Sequence, residues 1–417
     1  MPPASWTYAI SCFNPGLQGG ESVAIKIINE LDIAGKRVFI RVDFNVPQEE
    51  KTRAIRDDSR IRAALPTILY ALEQKARVIL ASHLGRPKGK RVAELTLLPV
   101  AERLSELLDR KVIFPDDCIG DGVRKNVQEL EECGVILLEN LRFHPEEESN
   151  DPVFAEKLAS LCHVYVNDAF GTAHRAHAST EGMVKYIKEK AAGFLMEKEL
   201  KYLGQILENP GRPFIAIIGG AKVSDKISLI ENLLTKVDAI LICGGMAYTF
   251  LKANKLEVGK SLLEDDKINT ARKLLERAGV KNIKMLLPKD HVVAPELSEG
   301  VASKVVSEKG IPRDQMALDI GPETIATFKE EIMNAKTVFW NGPAGAFELK
   351  PFDKGTVELA RAIAESESLS VVGGGDSAAA LRKAGLADRI THISTGGGAA
   401  LEFVEGKNLP GVAALEP

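Results

Sequence analysis

RVFIRVDFNVP, residues 37–47, decides the fold. Arg37–Val42 is a short run rich in Val and Ile, and a polar turn carrying Asp43 and Asn45 follows it before the next helix-length segment. The same order recurs down the chain: Arg77–Ser82, Val135–Glu139 and His163–Asp168 in the first half, then Pro213–Ile218, Asp238–Cys243, Ile283–Leu287, Thr337–Trp340 and Leu369–Val372 in the second. Such runs, separated by helix-length segments, mark βαβ units whose parallel strands are buried on both faces. Between them the helical period is clear over residues 93–110, where Ala93, Leu97, Val100, Ala101, Leu104, Leu107 and Leu108 share one face, and Asp225–Val237 and Lys354–Glu365 read likewise.

A chain of 417 residues is too long for one ordinary core; at about 150 residues per domain it implies two to three. Residues 193–208 (GFLMEKELKYLGQILE) read as one charged amphipathic helix, and Asn209-Pro210-Gly211 stops it. The pattern therefore predicts an α/β fold of two doubly wound, Rossmann-like domains with parallel sheets, joined by a hinge helix. The expected boundaries are a leader over 1–22, an N-terminal domain over 23–192 completed by a C-terminal segment 399–417, the connecting helix 193–208, and a C-terminal domain over 209–398. The leader has no Lys or Arg and so lacks the features of a signal or transit peptide. It is expected to be a disordered extension, or an upstream stretch ahead of a start near Val23.

Composition removes several classes of function. With 45% hydrophobic and 27% charged residues the chain is globular, and 54 basic against 58 acidic residues give a net charge of −4, without the basic excess of a nucleic-acid binder. Cys12, Cys118, Cys133, Cys162 and Cys243 are scattered singly, which points to reduced thiols and a cytoplasmic location instead of a disulfide framework. No stretch reaches the ~18 apolar residues of a membrane helix.

In open parallel sheets, ligands bind beyond the carboxyl ends of the strands. In the first half these ends carry Arg41, Asp43 and Asn45; His83 and Arg86; Arg142 and His144; and His174, Arg175 and His177, with Arg60 and Arg62 in the segment after the first run. Any one Arg is most simply a solvated surface charge. Repeated delivery of cations to one sheet edge calls for an anion, and guanidinium suits phosphate and carboxylate. In the second half the ends carry glycine: Gly219-Gly220-Ala221-Lys222, Gly244-Gly245, Asn341 to Gly345, and Gly373-Gly374-Gly375-Asp376-Ser377. A glycine pair serves a tight turn as readily as a phosphate. Four such ends, with Lys222 and Lys226 nearby, favour a nucleotide whose phosphates approach backbone amides, and Asp376 then suits Mg²⁺. The P-loop pattern is absent, since Asn254 stands where Gly259-Lys260-Ser261 would need its first glycine, and no dinucleotide fingerprint opens a helix. His174 and His177 lack a third metal ligand of fitting spacing. The run Glu146-Glu147-Glu148 reads as a solvated loop face.

RVDFNVP, SHLGRP, LENLRFHPEEE, NDAFGTAHRAHAS, GFLMEKEL, GGAKVSDKI, GGMAYTFL, LDIGPET, WNGPAGAFE, VVGGGDSAA and STGGGAALEF follow one another in order. Together they resemble the phosphoglycerate kinase family from about Ile25 to the C-terminus, with Ala317 standing where that family often has glycine. The resemblance implies reversible phosphoryl transfer from 1,3-bisphosphoglycerate to ADP in glycolysis and gluconeogenesis, with Mg²⁺, by a cytoplasmic monomer that binds neither nucleic acid nor membrane. It implies phosphoglycerate binding by Asp43, Asn45, Arg60, His83, Arg86, Arg142 and Arg175. It places Lys222, Lys226, Gly245, Ala317, Asn341, Pro343, Glu348, Gly374, Gly375, Asp376 and Ser377 around ATP or ADP. Arg60, Lys222, Gly374 and Gly375 would act on the transferring group and Asp376 on the metal. Two other readings stand beside it: a nicotinamide-dependent dehydrogenase, disfavoured by the missing fingerprint, and a non-enzymatic two-domain anion-binding protein, a class usually exported.

Overall fold

The computed structural model describes residues 25–417, so the leader 1–22 lies outside the described residues. The chain divides into two compact units, one reaching Lys201 and taking in Asn408–Pro417, the other Tyr202–Lys407. The boundary therefore falls inside the helix Phe194–Glu208, and residues 399–407, expected with the first domain, sit with the second. The reason is local: Asn232 Nδ2 donates to the carbonyl of Val404 at 2.6 Å, at the end of the helix Gly398–Val404.

The first unit is built on a six-stranded sheet in the spatial order Val112–Ile113, Val135–Leu137, Arg77–Ala81, Arg37–Arg41, Val164–Asn167, Glu189–Ala192. Every pairing is parallel, and Arg37 to Arg41 run in register with Arg77 to Ala81. The four central strands are buried almost throughout, and their sequences are rich in Val, Ile and Leu as strands covered on both faces require. The C-terminal segment seats here: Gly411 N–H donates to the Ala173 carbonyl at 2.9 Å, and Asn167 Nδ2 to the Gly411 carbonyl at 3.0 Å.

The helix expected over 93–110 is interrupted. Ala93–Leu95 forms a single 3₁₀ turn, and the α-helix spans Leu98–Leu108. Glu139 causes the break: its carboxylate accepts from Thr96 Oγ1 at 2.7 Å and from the Leu97 amide at 2.9 Å, which holds Thr96 extended. Pro99 then stands in the first turn of the helix, where a missing N–H costs nothing.

The second unit repeats the plan in the order His392–Ile393, Leu369–Gly373, Thr337–Asn341, Phe214–Ile218, Ala239–Ile242, Lys284–Leu286, again wholly parallel. Trp340, Phe214 and Phe339 are fully buried in it. A three-stranded antiparallel sheet is added, Lys304–Ser307 and Met316–Ile320 flanking Asp290–Ala294. Both large sheets have a central reversal of chain order, between Arg37–Arg41 and Val164–Asn167 in the first and between Phe214–Ile218 and Thr337–Asn341 in the second; the first sheet also turns back at its edge, where Val112–Ile113 lies outside Val135–Leu137. Ligands of open α/β sheets bind at such reversals, outside the carboxyl ends. No helix among the described residues is long and apolar enough to cross a membrane.

Candidate active site

At the reversal of the first unit, side chains from separate loops converge. Asp43 follows the strand Arg37–Arg41, and its Oδ2 accepts from Arg60 Nη1 at 2.8 Å, from the first turn of the helix Ser59–Glu73. Asn45 Oδ1 accepts the Gly85 amide at 2.9 Å, and Arg142 Nη1 donates to the Gly85 carbonyl at 2.9 Å. Three of the expected binding loops are thus laced together around Gly85. Arg142 is buried, and desolvation, with Arg41 and Arg175 adding to it, pulls its pKa down to about 10, against the opposing pull of Glu148. It stays cationic at neutral pH. His83 is buried, and desolvation followed by the charges of Arg41, Arg142 and Arg60 holds it well below the usual imidazole range, so it is neutral. His177 is pushed down to about 3 by burial and then by Arg142, Arg41 and Arg175. Arg86 is exposed and makes no hydrogen bond or ion pair among the described residues, and Arg175 Nε meets only His174 Nε2, at 3.2 Å. An uncompensated cluster of this kind is an anion site.

Two features correct the sequence reading. Glu147, expected on a solvated loop face, is completely buried. Its carboxylate accepts from Ser179 Oγ at 2.5 Å and Ser179 N–H at 2.9 Å, and Ser179 Oγ in turn accepts from Arg41 Nε at 2.8 Å. Arg41 is therefore no solvent-facing ligand: it is fully buried, donates to the Val42 carbonyl, and lies 3.3 Å from His83 Nδ1. Position in a Glu run carries no sign of this, because the partner Ser179 is distant in sequence. His174 and His177 belong to no three-donor metal group among the described residues.

In the second unit the strand ends surround a cavity of about 510 Å³. Of the expected nucleotide residues, Gly245, Ala317, Pro343, Glu348 and Asp376 line it. Asn341, Lys226 and Ser377 form its supporting layer: Lys226 Nζ donates to Asn341 Oδ1, Asn341 Nδ2 to the Gly373 carbonyl at 2.8 Å, and the Gly342 amide to Ser377 Oγ at 2.7 Å. Desolvation lowers the Lys226 pKa, opposed by Asp225, Glu405 and Asp376. Lys222, Gly374 and Gly375 are outside the lining; Lys222 is exposed one residue beyond Ala221, which lines it. Gly374, at φ +95°, caps the helix Gly375–Lys383 and turns that N-terminus toward the strand end. Sequence reasoning missed Tyr248, Leu262, Leu297 and Met316, which give the cavity an apolar wall, and Lys260. The fragment Gly259-Lys260-Ser261 holds that lysine, but its departure from the P-loop pattern gives no sign of a place in the cavity.

Two doubly wound units, one with clustered cations and the other with glycine turns around a cavity at their strand ends, mark the class of two-site proteins that bind anions and nucleotides. The comparisons identify which one. The phosphoglycerate kinase family profile matches residues 28–407. The chain is 60% identical over 396 residues to a phosphoglycerate kinase of Anaeromyxobacter dehalogenans, covering 94% of this chain and 100% of that one. It is 58% identical over 393 residues to that of Chlorobium phaeobacteroides, covering 94% and 99%. The solved phosphoglycerate kinase of Coxiella burnetii superposes with a TM-score of 0.86 at 44% identity, covering 94% and 98%. That of Pyrococcus horikoshii does so at 0.81 and 34%, with the same coverage. The chain belongs to the phosphoglycerate kinase family, and its activity is that of a phosphotransferase with a carboxyl group as acceptor.

Proposed function

We propose that the first unit binds 3-phosphoglycerate or 1,3-bisphosphoglycerate through Asp43, Asn45, Arg60, His83, Arg86, Arg142 and Arg175, while the second binds ATP or ADP. The observation that carries this is the surplus of positive charge at the reversal of the first sheet, where Arg60, Arg86, Arg142 and Arg175 have only Asp43 and Glu148 as ionic partners among the described residues.

The reaction moves a phosphoryl group between a carboxylate and the nucleotide. A carboxylate is ionised at neutral pH, so the attacking group needs no general base. That agrees with a site whose histidines His83 and His177 are held neutral among arginines. Catalysis then rests on in-line positioning and neutralisation of the charge on the transferring group. Arg60, Lys222 and the amides at Gly374 and Gly375 supply that neutralisation. Asp376 fits a magnesium ion: it is a hard oxygen donor that lines the cavity, exposed at the first turn of its helix and free of any ion pair among the described residues. Bound there with the nucleotide, the ion would screen the phosphate charge.

The reaction belongs in the cytoplasm, consistent with free Cys118, Cys133, Cys162 and Cys243, and each chain carries both sites, so a monomer suffices. A coupled assay tests the reading: ADP, 1,3-bisphosphoglycerate and Mg²⁺ should yield ATP, and Asp376→Ala should raise the Mg-nucleotide KM. No ATP above background, with the protein folded, would sink it.

A further inference from the structure

The loop leaving the strand Val112–Ile113 carries Asp117 and Cys118, and His144 stands at the entry to the short helix Pro145–Glu148. The fold brings these three together. His144 Nε2 is 2.7 Å from Asp117 Oδ1, and with Cys118 Sγ all three donor atoms lie within 4.8 Å of one another. Imidazole, carboxylate and thiolate are the donors zinc takes, tetrahedrally, at about 2.0–2.3 Å, so ligands sharing one ion stand roughly 3–4 Å apart.

The surroundings already orient the donors. The Cys118 amide donates to Asp117 Oδ1 at 2.6 Å, and the His144 ring packs on Phe154 with centroids 5.3 Å apart. Cys118 is wholly buried and forms no disulfide. The side chains of His144 and Asp117 keep 24% and 43% exposure, so two of the three donors are in reach of solvent.

We propose that Asp117, Cys118 and His144 form a divalent-cation site of Zn²⁺ type, separate from the phosphoryl-transfer residues. The sulfur and the imidazole select Zn²⁺ over Mg²⁺, which prefers all-oxygen ligands. On binding, the S–H bond is replaced by S–Zn and the proton passes to solvent. Three protein ligands leave the fourth position to water. The ion would pin the loop at 117–118 to the segment 142–148, which carries Arg142 and Glu147.

Co²⁺ provides a spectroscopic probe. Titrated into the full chain in Mg²⁺-containing buffer, one equivalent should produce a thiolate-to-cobalt charge-transfer band, and Zn²⁺ should displace it. Cys118→Ser should abolish the band. His144→Gln and Asp117→Asn, at partly exposed positions, should weaken Zn²⁺ by more than about tenfold, since losing even a group that only orients a ligand costs about 10–100-fold. Cys133→Ser, at a cysteine outside the trio, should change nothing. No band in the unaltered protein, a band surviving Cys118→Ser, or a Zn²⁺ affinity indifferent to His144→Gln would each overturn the site.

Discussion

Arg60 and Arg142 belong to one cationic cluster, yet their surroundings give them different work. Arg60 is partly exposed and tied only to Asp43, so its guanidinium is available to charge that develops during transfer. Arg142 is buried and bonded to the Gly85 carbonyl, a fixed part of the binding wall. Arg60→Ala is therefore expected to lower kcat by about 10²–10³, the usual cost of one donor to a transition-state charge, and Arg142→Ala chiefly to raise the phosphoglycerate KM. Steady-state kinetics separate the two, and an Arg60→Ala effect confined to KM would reverse the roles. His177 bears on stability. Its folded pKa of about 3 lies below the 6.5 of a free imidazole. The unfolded chain thus binds a proton that the folded chain refuses between those values. The stability it secures is complete above pH 6.5 and is lost as pH falls, by up to about 1.4 kcal/mol per unit. Asp168, pushed up to about 6 by burial, has the opposite sign between pH 4 and 6. Denaturant titrations of the unaltered protein and His177→Gln at pH 4.5 and 7 should show a shallower acid loss in the variant. Equal losses would mean that His177 is not held neutral.

The glycine-rich strand ends of the second unit depend on backbone approach more than on side chains. A Cβ at Gly345 would stand 2.4 Å from Asp319 Oδ1, and Asp319 is fixed from the far side by the Gly355 amide at 2.7 Å. Gly345→Ala must displace the loop that carries Pro343 and Glu348, at an overpacking cost of about 1–3 kcal/mol. Gly374→Ala forces φ +95° on a residue with a Cβ, a strain of similar size. Both variants should raise the nucleotide KM and leave phosphoglycerate binding intact by calorimetry; weakened phosphoglycerate binding would show that the damage is global. These loops were legible in the sequence because glycine clusters stand directly after apolar runs, and all nine runs read from the sequence became strands. What escaped has physical reasons. The edge strands Val112–Ile113 and His392–Ile393 are two residues long, too short for any periodicity to register. The antiparallel strand Lys304–Ser307 is largely exposed and lacks an apolar run, yet its sheet supplies Met316 and Ala317 to the cavity wall. The break before Leu98 depends on Glu139, a contact no local pattern contains. Likewise Arg41 and Glu147 reveal their burial only through Ser179, far along the chain.

Each unit is built on its own six-stranded parallel sheet, and on the proposed assignment each holds one substrate, so chemistry requires the bound substrates to meet. In-line transfer needs the reacting atoms about 3–3.5 Å apart in a water-poor setting, because water would otherwise accept the phosphoryl group. A ligand shifts a conformational equilibrium only by its differential affinity for the two states. On the proposed assignment, phosphoglycerate alone would contact the basic strand ends of one unit and nucleotide alone the glycine ends of the other, so neither by itself would favour a closed state strongly. Together they would supply contacts that exist only when the units close on each other, with the helix Phe194–Glu208 and the chain's return before Asn408 as the connections that flex. Solution scattering should then give a smaller radius of gyration with 3-phosphoglycerate and Mg-nucleotide present together than with either alone. In Arg60→Ala the ternary compaction should persist while turnover falls, since the other cationic strand ends still hold the phosphoglycerate while the transferring charge loses a partner. Full compaction with nucleotide alone would show that closure needs no bridging ligand pair, and loss of compaction in Arg60→Ala would make that arginine a closure contact instead of a catalytic one.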